Sequence, residues 1–176
     1  MGRRGCITAP HQRHTASNFN SRIMPEHFLP ADVAQILSRD LGTLAEEVNA
    51  TPDELLWKAM PGITNSVGTL AYHLCGNLRH FIGNILGGSG YVRNREAEFS
   101  HQPLTKEQLL SEIESTITEL NSALQKLTPE DLSREMPDTP PHHKGRSVGY
   151  FLIQLCCHFA RHSGQLNYLR RISSVQ

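Results

Sequence analysis

Val33, Ile36, Leu37, Leu41, Leu44 and Val48 recur three and four residues apart, the spacing that lines one face of an α-helix. Pro30, just ahead of them, sits where a missing N–H costs a helix nothing. A second stripe runs Val67, Leu70, Leu74, Leu78, Phe81, Ile82 and Ile85, opened by the capping residues Thr64-Asn65-Ser66 and stopped by Gly87-Gly88. A third runs Leu109, Ile113, Ile117, Leu120, Leu124 and Leu127 behind a Thr105/Gln108 capping box. The last runs Val148, Phe151, Leu152, Leu155, Phe159, His162, Leu166 and Leu169 behind Ser147. Between the first two, Thr51-Pro52-Asp53-Glu54 reads as a capping box for a short helix through Trp57, ended by Pro61-Gly62.

No stretch alternates as a strand does. Four long amphipathic stripes without strands predict an all-α four-helix bundle. The charged loop YVRNREAEFS and the Pro-rich link MPDTPPHHKGRS are long enough to allow parallel neighbours. The bundle is expected within residues 24–176. Residues 1–23 hold four arginines, no acid and no apolar core. They read as an unstructured extension, or as an over-long gene start, rather than a secretory signal.

Composition narrows the function classes. Lys+Arg and Asp+Glu are both 17 in 176 residues, so no charge excess points to nucleic acid or an anionic membrane. No apolar run approaches the roughly 20 residues of a membrane span. Cys6, Cys75, Cys156 and Cys157 suggest no disulfide framework and read as reduced thiols of a cytoplasmic protein. Cys157 and His158 point about 100° apart on a helix, a poor arrangement for shared ligation.

Histidine is the deviation: there are ten. His158 and His162 stand four apart, so their rings can converge on one point of the last helix. Ser66, Thr69, His73, Asn77, His80 and Asn84 form a polar line beside the second stripe. Bundle cores build metal sites from such inward histidines. His73 and His80 cannot both join the pair, since about 10.5 Å of helix separates them. Hydrogen-bonded core or interface histidines show the same spacing, so periodicity leaves both readings open.

The string HFARHSGQLNYLRR resembles the final-helix signature of the DinB superfamily, also described as YfiT-like. The segment WKAMPGITNSVGTLAYHL is similar to that family's other hallmark: a Trp, a PG turn, a Ser-capped helix, then a His on its third turn. Together they cover approximately residues 28 to 172. The resemblance implies a four-helix bundle, expected in up-up-down-down order, a homodimer, and a divalent ion (zinc, nickel, manganese or iron) on His73, His158 and His162. His80 then becomes a cavity or surface residue. Gln165, and Asn77 one turn beyond His73, are candidates to hold a ligand imidazole or a bound water from outside the ligand set. Arg93, Arg95 and Glu98 either line a cavity mouth or belong to a solvated loop. Lys144-Gly145-Arg146 reads as an anion site at the helix start or as plain loop.

Some members of that superfamily are thiol S-transferases acting on a low-molecular-weight bacterial thiol; others are described as metal-dependent hydrolases. The implied function is therefore metal-dependent thiol transfer, with hydrolysis and a non-catalytic metal- or ligand-binding bundle as alternatives. No carboxylate stands out as a general base, and Glu46 and Glu47 are unranked candidates.

Overall fold

A computed structural model describes residues 1–2, 28–100 and 104–173. The expected extension, apart from its first two residues, lies outside the described residues, as do Cys6 and His101. The chain forms α1 (Phe28–Ala50), α2 (Asp53–Leu56), α3 (Val67–Leu78), α4 (Arg95–Glu98), α5 (Lys106–Leu124), α6 (Pro129–Ser133) and α7 (Val148–Ser173). A π-helical segment, Arg79–Leu86, continues α3. The four long helices are those the stripes predict. Among the described residues extended pairing is limited to an isolated bridge between Glu135 and Ser147. No described helix is long and apolar enough to cross a membrane.

The apolar faces meet in one core, where Leu37, Leu41, Leu44, Leu74, Leu120, Leu152 and Phe159 are almost wholly buried. Each buried side chain of this size stabilises the fold by roughly 1.5–3 kcal/mol. α3 is the most enclosed helix, with even His73 and Asn77 buried. Ser66 caps it, its hydroxyl accepting from Thr69 N at 3.1 Å. Gly68 lets the Trp57 ring lie on the helix; a Cβ there would stand 2.8 Å from ring carbons. Trp57 Nε1 in turn donates to Leu104 O at 2.9 Å, pinning the start of α5.

The helix directions correct one expectation. Leu29 faces Gly149, and Glu47 accepts from Asn167 Nδ2 at 2.7 Å and pairs with Arg170, so α1 and α7 are parallel. His73 meets His158 while Phe81 meets Phe151, so α3 and α7 are antiparallel. Arg79 pairs with Glu112 and Glu119, and Gly87 packs on Ala123, so α3 and α5 are parallel. The order is up-down-down-up, not up-up-down-down. The physical reason lies in the links. Residues 87–100 run back along the bundle, which parallel neighbours require, whereas the other two links only turn corners.

Two local readings also change. Thr51 does not cap α2; its hydroxyl donates back to Glu47 O at 2.8 Å, closing α1, and Pro52 precedes α2 with no side-chain cap. The third stripe breaks at Leu124, and a separate helix, α6, follows with its own Thr128/Asp131 capping box.

Candidate metal centre

α3 and α7 face each other along their lengths, and each delivers histidine to the same point. His73, His158 and His162 offer ligand atoms that all lie within 4.8 Å of one another. His73 Nε2 and His158 Nε2 are 3.2 Å apart. Two nitrogens at 2.0–2.1 Å from a tetrahedral ion stand about 3.3 Å apart, so this spacing suits one shared cation. The structure thus brings together the three residues that the resemblance selects, and they could hold a metal ion.

Their outer nitrogens are also provided for. His73 Nδ1 donates to Glu98 Oε2 at 2.9 Å. His162 Nδ1 donates to Gln165 Oε1 at 2.7 Å. Each bond fixes the proton on Nδ1 and leaves the Nε2 lone pair for a ligand position. Burial, followed by the charges of His162 and His73, pushes His158 down to about 4. Burial also lowers His162. The His158 and His162 rings are therefore poised in the form that binds a cation.

Glu98 is the residue that sequence reasoning undervalued. It is 1% exposed, at the end of a four-residue helix in what reads as a solvated loop. Arg93 grips it twice, Nε to Oε1 at 2.6 Å and Nη2 to Oε2 at 2.8 Å. Burial raises its pKa, but the Arg93 and His73 hydrogen bonds outweigh that and hold it below the ordinary carboxylate range. Gly76 on α3 makes the space, since a Cβ there would collide with Glu98 Oε1. A glycine in mid-helix was the available signal, because it marks a close approach worth its cost in helix propensity.

The imidazoles open into a cavity of about 730 Å³ whose walls include Asn77, Phe81, Phe99, Phe151, Gln154 and Leu155. Arg93, Arg95 and Arg161 also line it, and among the described residues no carboxylate does. The Pro-rich link supplies Pro140, Pro141, His142 and His143, a contribution the sequence did not disclose. Asn77 makes no hydrogen bond to any of the three imidazoles; its Oδ1 is buried without a partner.

The remaining candidates fall elsewhere. His80 lies against Phe81, 3.6 Å from Asp138 and away from the triad, because seven residues carry it about 10.5 Å along the helix from His73. Glu47 is engaged by Asn167 and Arg170, and Glu46 is exposed. At the start of α7, Gly145 N donates to Glu135 Oε1 at 3.0 Å and Arg146 lies over Tyr150, so a carboxylate already holds the place proposed for an anion.

Comparison with known proteins places this arrangement in a class. The fold is that of the DinB-like proteins: a crystal structure of a DinB-like protein from Bacillus cereus ATCC 10987 superposes with a TM-score of 0.63, covering 82% of this chain and 92% of that one at 18% identity. A family model described as "Protein of unknown function (DUF1572)" matches residues 31–175. The chain belongs to that family, itself part of the DinB-like fold family. Among curated proteins none matches.

Proposed function

We propose that His73, His158 and His162 bind one divalent cation and that the protein is a metal-dependent thiol S-transferase acting on a low-molecular-weight thiol. The observation that carries the reading is the convergence of three imidazoles, two of them fixed from behind by Glu98 and Gln165. A divalent ion held there supplies Lewis acidity, which lowers the pKa of a thiol or water brought to it. The chain's own residues do the rest. Glu98 and Gln165 aim the lone pairs. Phe81, Phe99 and Phe151 give the cavity apolar walls that limit water around the reacting atoms.

The hydrolase reading asks for a base beside the cluster. Both Glu98 oxygens are committed to Arg93 and His73, and among the described residues no carboxylate lines the cavity. That favours thiol chemistry, in which activation of the nucleophile suffices. A homodimer and a cytoplasmic setting belong to the same proposal. Ile153, Tyr168 and Ile172 leave apolar surface on α7, and Cys75, Cys156 and Cys157 are unpaired.

Metal analysis of untagged protein tests the centre. A conjugation assay with a thiol and an electrophilic acceptor, run with and without metal, then tests the chemistry. Conjugation that depends on metal is expected. Ester or amide hydrolysis without conjugation would transfer the protein to the hydrolases, and metal without either reaction would make it a binding bundle. Light scattering checks the dimer, which a clean monomer mass would remove.

A further inference from the structure

A second hollow, a groove of about 590 Å³, runs between the turn that leads into α3 and the last turns of α7. Ile63 and Leu70 form one wall, and Tyr168, Leu169 and Ile172 form the other. Ile63, Tyr168 and Ile172 are 43%, 67% and 43% exposed. Scattered singly, such residues need no explanation. Gathered from two elements around one hollow, they mark a place where something apolar binds.

Two features tie this groove to the imidazoles. Asn65 and Leu70 line both the groove and the cavity that holds the triad, so the two spaces join there. Gln165, on the groove wall, accepts from His162 Nδ1 at 2.7 Å. That bond takes the amide oxygen and leaves the amide nitrogen as a donor at the wall. The two spaces also differ in charge. Three arginines line the cavity. Among the described residues no acid, lysine, arginine or histidine lines the groove. A charged molecule entering the groove would lose hydration and meet no counter-charge.

We propose that the groove binds the apolar body of an uncharged carbonyl electrophile, with the carbonyl oxygen accepting from the Gln165 amide beside the metal centre. This inference rests on the thiol-transfer reading above and names the class of its second substrate. An α,β-unsaturated ketone is the simplest member. The thiolate sulfur bonds its β-carbon, and the electron pair of the double bond passes to the carbonyl oxygen. The proton given up by the thiol returns to the α-carbon, so the addition balances without an oxidant or reductant. A second copy of the chain could cover Tyr168 and Ile172, but it would not account for a groove that continues past Asn65 into the cavity.

The test uses the full chain and two unreactive probes, acetophenone and benzoate, which share a ring and a carbonyl and differ in charge. Methyl-labelled protein is titrated with each and followed by nuclear magnetic resonance. Acetophenone is expected to shift the methyls of Ile63, Leu70, Leu169 and Ile172, and benzoate to bind there about tenfold more weakly or worse. Ile63→Asp and Tyr168→Ser change exposed positions on opposite walls. Each is expected to weaken acetophenone about tenfold while keeping the helicity and metal content of the wild type. Groove methyls that do not move overturn the inference, as do equal affinities for the two probes or undiminished acetophenone binding in both variants. A fall from dimer to monomer mass in either variant also overturns it, because a second copy is then the occupant. Acetophenone binding in a protein that conjugates no thiol overturns the transferase reading and the groove's part in it. Conjugation with unmoved groove methyls overturns this inference alone.

Discussion

Glu98 Oε2 lies 2.9 Å from His73 Nδ1, a buried contact between residues 25 positions apart. It exists because the connection between the two parallel helices must travel back along the bundle, and it passes α3 where Gly76 leaves room. The contact fixes which nitrogen of His73 faces the other imidazoles. A topological necessity thereby becomes a chemical one.

The triad is tested one residue at a time. His73→Ala, His158→Ala and His162→Ala are each expected to lower metal from about one ion per chain to a small fraction of that, because three ligands are the minimum for such a site. His80→Ala is expected to retain its metal. Elemental analysis decides, and a His162→Ala protein with wild-type metal content would remove the site.

Glu98→Gln is expected to weaken metal affinity roughly 10- to 100-fold, the usual effect of removing a carboxylate behind a ligand histidine. It also leaves the Arg93 guanidinium buried without its counter-charge, a loss of about 3 kcal/mol or more. Gly76→Ala removes no charge, yet it should displace Glu98 and weaken metal in the same direction. Chelator competition measures both, and wild-type affinity in Gly76→Ala would show that the contact does not position His73.

The pH dependence follows from His158, which burial and then the neighbouring imidazoles hold at about 4. Unfolded, it titrates near 6.5. Between those values the unfolded chain binds a proton that the folded chain refuses, so stability falls as pH drops through that window. From this group alone, stability is flat above it. Glu98, held below its ordinary value, adds stability above about 4.5 that is lost at lower pH. Metal-free protein should therefore melt at a steady temperature between about pH 7 and 8 and progressively lower from about 6.5 to 4. Free histidine places acid release of metal near 6.5; the lowered His158 and His162 move it to a more acidic pH. Nuclear magnetic resonance of the metal-free protein showing His158 titrating near 6.5 would contradict this.

Gly68→Ala is expected to destabilise the fold by about 1–3 kcal/mol, the usual cost of overpacking. The added Cβ would press on the Trp57 ring at 2.8 Å. Denaturant unfolding measures it, and an unchanged midpoint would show that Trp57 yields without cost.

A chain beginning at Met24 is expected to keep the helicity and melting temperature of the full chain, since residues 1–23 carry no apolar pattern that could dock on the bundle. Circular dichroism checks both, and a loss of several degrees would show that the preceding residues belong to the folded unit.

By itself the sequence determined the four long helices, several of their ends and one half of the candidate site. Val33 to Val48 can bury one face only as a helix. Ser66 and Thr105 satisfy N–H groups within three residues of themselves. His158 and His162 are neighbours by spacing alone. These are local consequences, set by the 3.6-residue turn and by hydrogen bonds that close over short distances. The tertiary structure decided the rest. Periodicity could not choose between His73 and His80; that choice needs the antiparallel register of α3 and α7, which brings His73 to a partner 85 residues away. Nor could it choose the helix order, because each link is long enough for more than one direction. Arg93 and Glu98 read as solvated charges because composition reports polarity and not location. Their burial depends on where residues 87–100 cross α3, and on Gly76 leaving a place for a carboxylate.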